Sequence, residues 1–395
     1  MNYDFDHLPD RHGTFSYKWD EVASEFPQAP DVIPMWVADT DFPCPKEIVE
    51  AIQKRAAHPI YGYGQIDHDS AALLAQWEKK RNQWDVDPQW ITYCNGVVVG
   101  LNAIISAFSE EGDGVIIQPP VYYPFREAVE KTRRKLCLNE LYNNGDHWAI
   151  DFEQLERLAK DPCNKILLLC NPHNPVSRVY RRDELEKIGE ICLKHHVVIA
   201  SDEIHSDLIY PGHKHIPIAS LSPEIAAITV TAVSPSKTFN IAGLQMSALI
   251  APSRDMLERL EEELDRRCYI PNLFGSIAWK AAYSDGGCEE YVEELMNYLW
   301  GNYLYLDQYL REHMPKIRCQ KPEATYLMWL DCSGLGLEQE ELKRFFVEDA
   351  RVGVEEGTLF GGASASFMRM NIGCARATLK QALEQLESAY QKRGF

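Results

Sequence analysis

At 395 residues the chain is long enough for one large or two ordinary domains with a sizeable core. Its 59 acidic and 40 basic side chains leave a net charge of −19, which argues against nucleic acid or an anionic membrane as the main partner. A small anionic ligand stays compatible, because backbone amides and a few local cations suffice to hold one. Hydrophobic residues at 45% and charged residues at 25% are those of a soluble globular protein. The segment Met1 to Asp6 has no basic stretch followed by an apolar one, and no apolar run approaches the ~20 residues that cross a bilayer. A cytoplasmic protein without a membrane partner is expected. The eleven cysteines are odd in number and form no C-x-x-C pair, and Cys94, Cys170 and Cys192 lie in apolar surroundings. That pattern predicts buried reduced thiols and no metal centre.

In chain order, residues 1–45 read as an irregular arm rich in aromatics, prolines and aspartates, centred on Ile33 to Pro43. Helical periodicity starts near Pro45, with Ile48, Val49 and Ile52 on one face. From about 90 to 250, apolar runs at 91–95, 115–118, 136–141, 166–170, 197–201, 228–233 and 247–251 alternate with amphipathic helices. Leu167-Leu168-Leu169 and Val197-Val198-Ile199 show no polar alternation, the mark of strands covered on both faces. The prediction is an α/β domain, 46–285, with a mostly parallel seven-stranded sheet between helices. Ligands gather at the carboxyl ends of such strands. Residues 253–268 read as a charged surface helix and 288–313 as a long helix. A strand at 325–330, a helix near 338–350, a strand at 367–372 and a closing helix at 376–392 follow. These predict a smaller α+β domain, 286–395, joined by the arm 1–45.

Three residues fall at predicted strand ends. Ser234-Pro235-Ser236-Lys237 follows the β-rich run 227–233, Asp202 closes the run 197–202, and Asn174 sits in Asn171-Pro172-His173-Asn174-Pro175. A lysine leaving a buried strand is placed to hold a carbonyl cofactor as a Schiff base, while neighbouring serines bond a phosphate. Ser-x-x-Lys alone is a weak signal that other enzymes share. Lysine, aspartate and asparagine together suit a pyridine ring anchored from three sides. Gly96-Val97-Val98, after the strand Ile91 to Cys94, opens a helix whose first N–H groups are free for phosphate, although a glycine before a helix is ordinary.

Together these pieces resemble the fold type I pyridoxal-phosphate enzymes, the class I/II aminotransferase superfamily, over nearly the whole chain. Within it, Gly13 to Asp20, Met35 to Phe42, Asp202-Glu203-Ile204-His205-Ser206-Asp207 and Lys237-Thr238-Phe239-Asn240 resemble the cystathionine β-lyase branch of carbon–sulfur lyases, the MalY/PatB-like proteins. The resemblance implies pyridoxal 5′-phosphate as cofactor. It makes Lys237 the covalent anchor and general base, and Asp202 the partner of the pyridine nitrogen, where a lone aspartate would otherwise cap a helix. Asn174 is implied on the phenolic oxygen and near the substrate carboxylate. His205 contacts the cofactor or packs behind it. Ser234, Ser236, Gly96, Val97 and Val98 hold the phosphate.

Tyr122 is implied as the aromatic stacked on the ring with a part in catalysis, with Tyr123 a second candidate. Tyr63 is implied on the phosphate of a neighbouring subunit in a homodimer, with Tyr61 as the other register. Arg369 is implied on the substrate α-carboxylate, with Arg376 as its alternative, and Trp36 and Ala38 line that pocket. Two positions depart from the superfamily: Gln245 stands where an arginine often neutralises phosphate, and Ser177 where a glycine is usual. The implied activity is β-elimination from L-cystathionine or a related S-substituted cysteine, giving a thiol, pyruvate and ammonia. An aminotransferase is the alternative reading, and a regulatory binding protein with an incidental lyase site is another.

Overall fold

The computed structural model describes residues 3–145, 147–284 and 288–395. The expected boundary at 285/286 and the first two residues of the arm lie outside these. Seven strands form the main sheet: β1 (Ile91–Cys94), β2 (Gly114–Ile117), β3 (Lys135–Leu138), β4 (Asn164–Cys170), β5 (Val198–Asp202), β6 (Thr229–Val233) and β7 (Ser247–Ile250). Their order is β1-β7-β6-β5-β4-β2-β3. All neighbours are parallel except β7, which runs antiparallel to both β1 and β6.

The unbroken apolar runs are explained by what covers each face. Ile166, Leu168, Ala200 and Val230 pack with Leu101 and Ile104 of helix α1 (Val97–Phe108) and with Leu257 and Leu260 of the helix Arg254–Arg266. The intervening Leu167, Leu169 and Ile199 point the other way, against Leu185, Ile188 and Ile191 of the helix Arg182–His195. Each such side chain contributes roughly 1.5–3 kcal/mol by leaving water, so neither face tolerates a polar alternation.

The C-terminal part holds a four-stranded antiparallel sheet: β8 (Arg318–Cys319), β9 (Leu327–Asp331), β10 (Glu355–Glu356) and β11 (Phe367–Asn371), in the order β8-β9-β11-β10. The long helix α2 (Cys288–His313) and the closing helix Arg376–Lys392 share one core with it. The arm joins this part: Ile33–Pro34 pairs in parallel with Val352–Gly353. Two boundaries differ from expectation. The strand expected from 325 begins at Leu327, because Thr325 has a left-handed backbone (φ 65°) that no strand accommodates. The helix expected over 338–350 is regular only across Gln339–Arg344 and widens to π turns over Phe345–Asp349, where Phe345, Phe346 and Val347 are all buried in succession.

Gly357, just after β10, sits where a Cβ would collide with the carbonyl oxygens of Ser364 and Phe367. Backbone cannot yield as a flexible side chain can. Gly357→Ala should therefore destabilise the fold by about 1–3 kcal/mol in urea denaturation; an unchanged midpoint would contradict this packing.

Candidate active site

Because β4, β5 and β6 run parallel, their carboxyl ends open on one side of the sheet, and β11 of the smaller sheet faces them. A cavity of about 230 Å³ lies there. Of the sequence-derived candidates, Lys237, Asp202, Asn174, His205, Tyr122, Ser234, Ser236, Gly96, Val97, Val98 and Ala38 all line it. Arg369 touches its wall through Asn174, whereas Trp36 reaches the site only through its main chain.

Lys237 Nζ donates to the Ala38 carbonyl at 2.7 Å. Burial pushes its pKa down; Asp39 and Asp202 oppose that, and Arg369 adds to it. Asp202, the last residue of β5, is pushed up to about 7 by burial, against the Ile204 N–H donated to it at 3.1 Å and the attraction of Lys237. Its cap-like bond to Ile204 and its place on the cavity wall are thus both real. His205 is pushed down to about 3 by burial and then by the charges of Lys237 and Arg369, so its imidazole is neutral. Its Nδ1 has no partner among the described residues, and Tyr326 packs edge-on with ring centres 6.3 Å apart.

Asn174 is held by the loop beneath it. Its carbonyl accepts from the Tyr122 N–H at 3.0 Å. Neighbouring His173, neutral because burial lowers it to about 4, bridges the Pro120 carbonyl and the Tyr180 hydroxyl at 2.9 Å each. Only a protonated Nε2 can donate to a carbonyl, so Nδ1 accepts from Tyr180. Asn174 Oδ1 accepts from Arg369 at 3.2 Å, leaving the amide nitrogen as its donor to a ligand. Ser177, two residues past Pro175, has φ 54°, a conformation glycine adopts freely. The hydroxyl compensates for the side chain, bonding Thr325 Oγ1 at 3.1 Å and the Leu327 carbonyl.

The phosphate-binding expectation meets a suitable local geometry. Gly96 has φ 132°, which side chains rarely adopt, and a Cβ there would meet nothing within 4 Å. It precedes α1, whose first N–H groups lack intrahelical acceptors. Ser234 Oγ donates to the Met246 carbonyl at 2.8 Å and lies 2.9 Å from Ser236 Oγ. Gln245 lines the same cavity at φ 48° and is exposed. The donors are thus amides and hydroxyls, with no arginine among the lining residues.

Other candidates lie elsewhere. Tyr63 is 95% exposed and does not line the cavity. Tyr61 donates to the Ala56 carbonyl at 2.6 Å and packs on Phe274. Tyr123 packs on Tyr122 at 5.3 Å, behind the cavity wall. The Trp36 indole is turned away, donating to the Lys18 carbonyl at 3.1 Å. Arg376 is bound to Asn302 at 2.7 Å beside Tyr305, so Arg369 is the arginine at the site. Sequence reasoning missed Asn95, Val99, Cys170, Ile204, Ala242, Met246 and Ser247 on the wall, and Tyr326 and Glu355 behind it. Apolar or uncharged, the wall residues carry no chemical signal of their own.

A lysine, an aspartate and an asparagine at strand ends line one cavity, and the chain belongs to the aminotransferase class I and II family, whose model matches residues 30–386. It is 44% identical over 386 residues to cystathionine beta-lyase PatB of Bacillus subtilis (strain 168), covering 98% of this chain and 99% of that one. It is 32% identical over 390 residues to Protein MalY of Escherichia coli (strain K12), covering 98% of each. The structure of cystalysin from Treponema denticola, which contains a pyridoxal 5′-phosphate cofactor, aligns over the whole of both chains with a TM-score of 0.96 and 35% identity.

Asp202 binds a proton on folding between its ordinary pKa of 3.8 and about 7, so the stability it contributes is full below pH 4 and lost as pH rises through 7. At ~1.4 kcal/mol per pH unit the loss is at most roughly 4 kcal/mol. In cofactor-free protein, Asp202→Asn should be the more stable form above pH 7 and lose that advantage below pH 4. Denaturation curves at both pH values check this.

Proposed function

We propose that the chain is a pyridoxal-phosphate-dependent carbon–sulfur β-lyase. Its substrate is L-cystathionine or a related S-substituted cysteine, and its products are a thiol (homocysteine from cystathionine), pyruvate and ammonia. The observation that carries this reading is the full-length match to a cystathionine β-lyase, with Lys237, Asp202 and Asn174 converging on one cavity.

The residues present fit the cofactor. The unpartnered His205 Nδ1, the open space over Gly96 and the amide-and-hydroxyl donor set of Ser234, Ser236, Val97 and Val98 suit a phosphorylated pyridine. When bound, pyridoxal 5′-phosphate supplies an electron sink for negative charge developed at the substrate Cα. Lys237 would hold it, Asp202 would face its ring nitrogen, Asn174 and His205 its phenolic oxygen, and Tyr122 its ring face. Arg369 binds the substrate α-carboxylate, each charge-assisted bond contributing ~1.5–3 kcal/mol. Lys237 takes the proton from Cα. Its lowered proton affinity keeps a larger share of the amine free near neutral pH than an ordinary lysine has. The C–S bond at Cβ then breaks, the thiolate leaves, and hydrolysis of the three-carbon remainder gives pyruvate and ammonia.

The domain division at 1–45, 46–285 and 286–395, the cytoplasmic location and a homodimer complete the reading. Support for the dimer is the exposed tyrosine pair: Tyr63 is 95% exposed in its own chain, yet sits at the position implied to reach a neighbour's phosphate site.

Two tests follow. Incubated with cystathionine and no keto acid, the protein should release pyruvate and thiol over many turnovers, and Lys237→Ala should abolish this with the visible absorbance of the bound cofactor. A single turnover followed by arrest would point to amino transfer instead. Mixing Tyr63→Ala with Lys237→Ala should recover activity that neither shows alone, since one site of each mixed dimer is then native. No recovery after verified subunit exchange would count against a shared site.

A further inference from the structure

Glu355 has no place in the reaction as read above, although it touches the residue that binds substrate. The register of the smaller sheet sets Glu355 directly opposite Arg369 across β10 and β11, so both side chains share one face. Both are buried, at 9% and 1% exposure, and they form an ion pair. The other acceptors on Arg369 are neutral: Asn174 Oδ1 at 3.2 Å and the Trp36 carbonyl at 2.8 Å. The Phe360 ring covers the guanidinium at 5.0 Å, and Nε has no partner among the described residues. Glu355 is therefore the anion that balances this buried cation; its Oε2 lies beside Nη2 as an ion pair without a hydrogen bond among the described residues, while Nη2 donates to the Trp36 carbonyl.

An incoming α-carboxylate meets a fork that is already engaged. Two carboxylates on one guanidinium in a low-dielectric site repel, and the arrangement is relieved when one of them is protonated. We propose that Glu355 is an internal counter-anion that positions Arg369 in the resting protein and yields it to the substrate α-carboxylate by taking one proton from solvent. This rests on the carboxylate-binding reading of Arg369. Glu355 becomes a neutral acid, no other covalent bond changes, and the proton offsets the arriving anion, so that the pair and the substrate carboxylate together carry the net charge of the resting pair.

The surroundings favour that exchange. Burial pushes Glu355 above the usual carboxylate range, Arg369 opposes this, Glu25 from the arm adds to it, and Lys237 opposes it. Tyr122 and Tyr123 face the same pair; burial raises both phenols, so they stay neutral. Once Arg369 turns to the substrate, its opposition weakens and the glutamate's proton affinity rises further. Binding is then tighter at low pH and weakens as pH rises above the Glu355 pKa.

Propanoate, a carboxylate without an amine, tests this by calorimetry on the holoenzyme in two buffers of different ionisation enthalpy. At pH 8 the parent should take up close to one proton more per propanoate than Glu355→Gln. The variant should also bind tighter, on the order of tenfold, the equivalent of one pH unit of proton linkage. Glu355→Asp keeps the charge in case the glutamine variant does not fold, and it should retain the proton uptake while binding tighter through a loosened pair. A glutamate serving only to support the fold would lower thermal stability in Glu355→Gln without moving proton uptake. Equal uptake in parent and variant, or no gain in affinity, overturns the proposal while Arg369→Lys still loses propanoate. Were Arg369→Lys to bind propanoate as the parent does, the reading of Arg369 itself would fall, and this inference with it.

Discussion

The main-chain carbonyls of residues 36 to 42 are where the two sheets meet, and the site depends on that meeting. Lys237, from the turn after β6, and Tyr326, just before β9, both donate to the Ala38 carbonyl, at 2.7 and 2.9 Å. Asn371 of β11 donates to the carbonyls of Val37 and Asp39, both at 2.6 Å, while Asn240 donates to those of Thr40 and Phe42, both at 2.8 Å. Arg369 takes the Trp36 carbonyl. A segment without regular structure thus has its buried backbone acceptors satisfied by side chains from either side, which is what lets it run through the interior.

The arm is tied down by charge as well. Lys18 is buried with its ammonium 3.0 Å from Asp41, Arg11 bonds Asp39 at 2.7 Å and Asp41 at 2.8 Å, and the Trp19 indole donates to Asp41 at 2.9 Å. Removing one partner would strand an uncompensated buried charge, so the cluster holds one arrangement rather than several. Because Asp39 adjoins Ala38, the same cluster fixes the carbonyl that receives Lys237.

Desolvation is the common cause of the site's acid–base properties. It lowers Lys237 and His205 and raises Asp202 and Glu355, each toward its neutral form. Charged partners then pull some of them back, and the balance differs from residue to residue. A cavity that makes ionisation costly gives its few ionic contacts large consequences, which is why the Arg369–Glu355 pair matters so close to the cavity wall.

The alternation of unbroken apolar runs with amphipathic helices determined the parallel sheet, and the chemistry-bearing residues at the ends of those runs determined the site. Lys237, Asp202 and Asn174 were legible because strand ends in such a sheet open on one side. The resemblance to the superfamily also marked the departures at Ser177 and Gln245. Tertiary structure decided what no spacing carries. It turned the Trp36 indole away from the cavity and left only its carbonyl there. It set Arg369 beside the cavity wall and Arg376 away from it, bonded to Asn302 across a helix contact. It set Glu355 against Arg369 through the register of two short strands, fourteen positions apart in the chain yet directly opposed in the sheet. The physical reason is that periodicity reports which face of an element is buried, whereas partners across elements depend on how separately encoded surfaces pack.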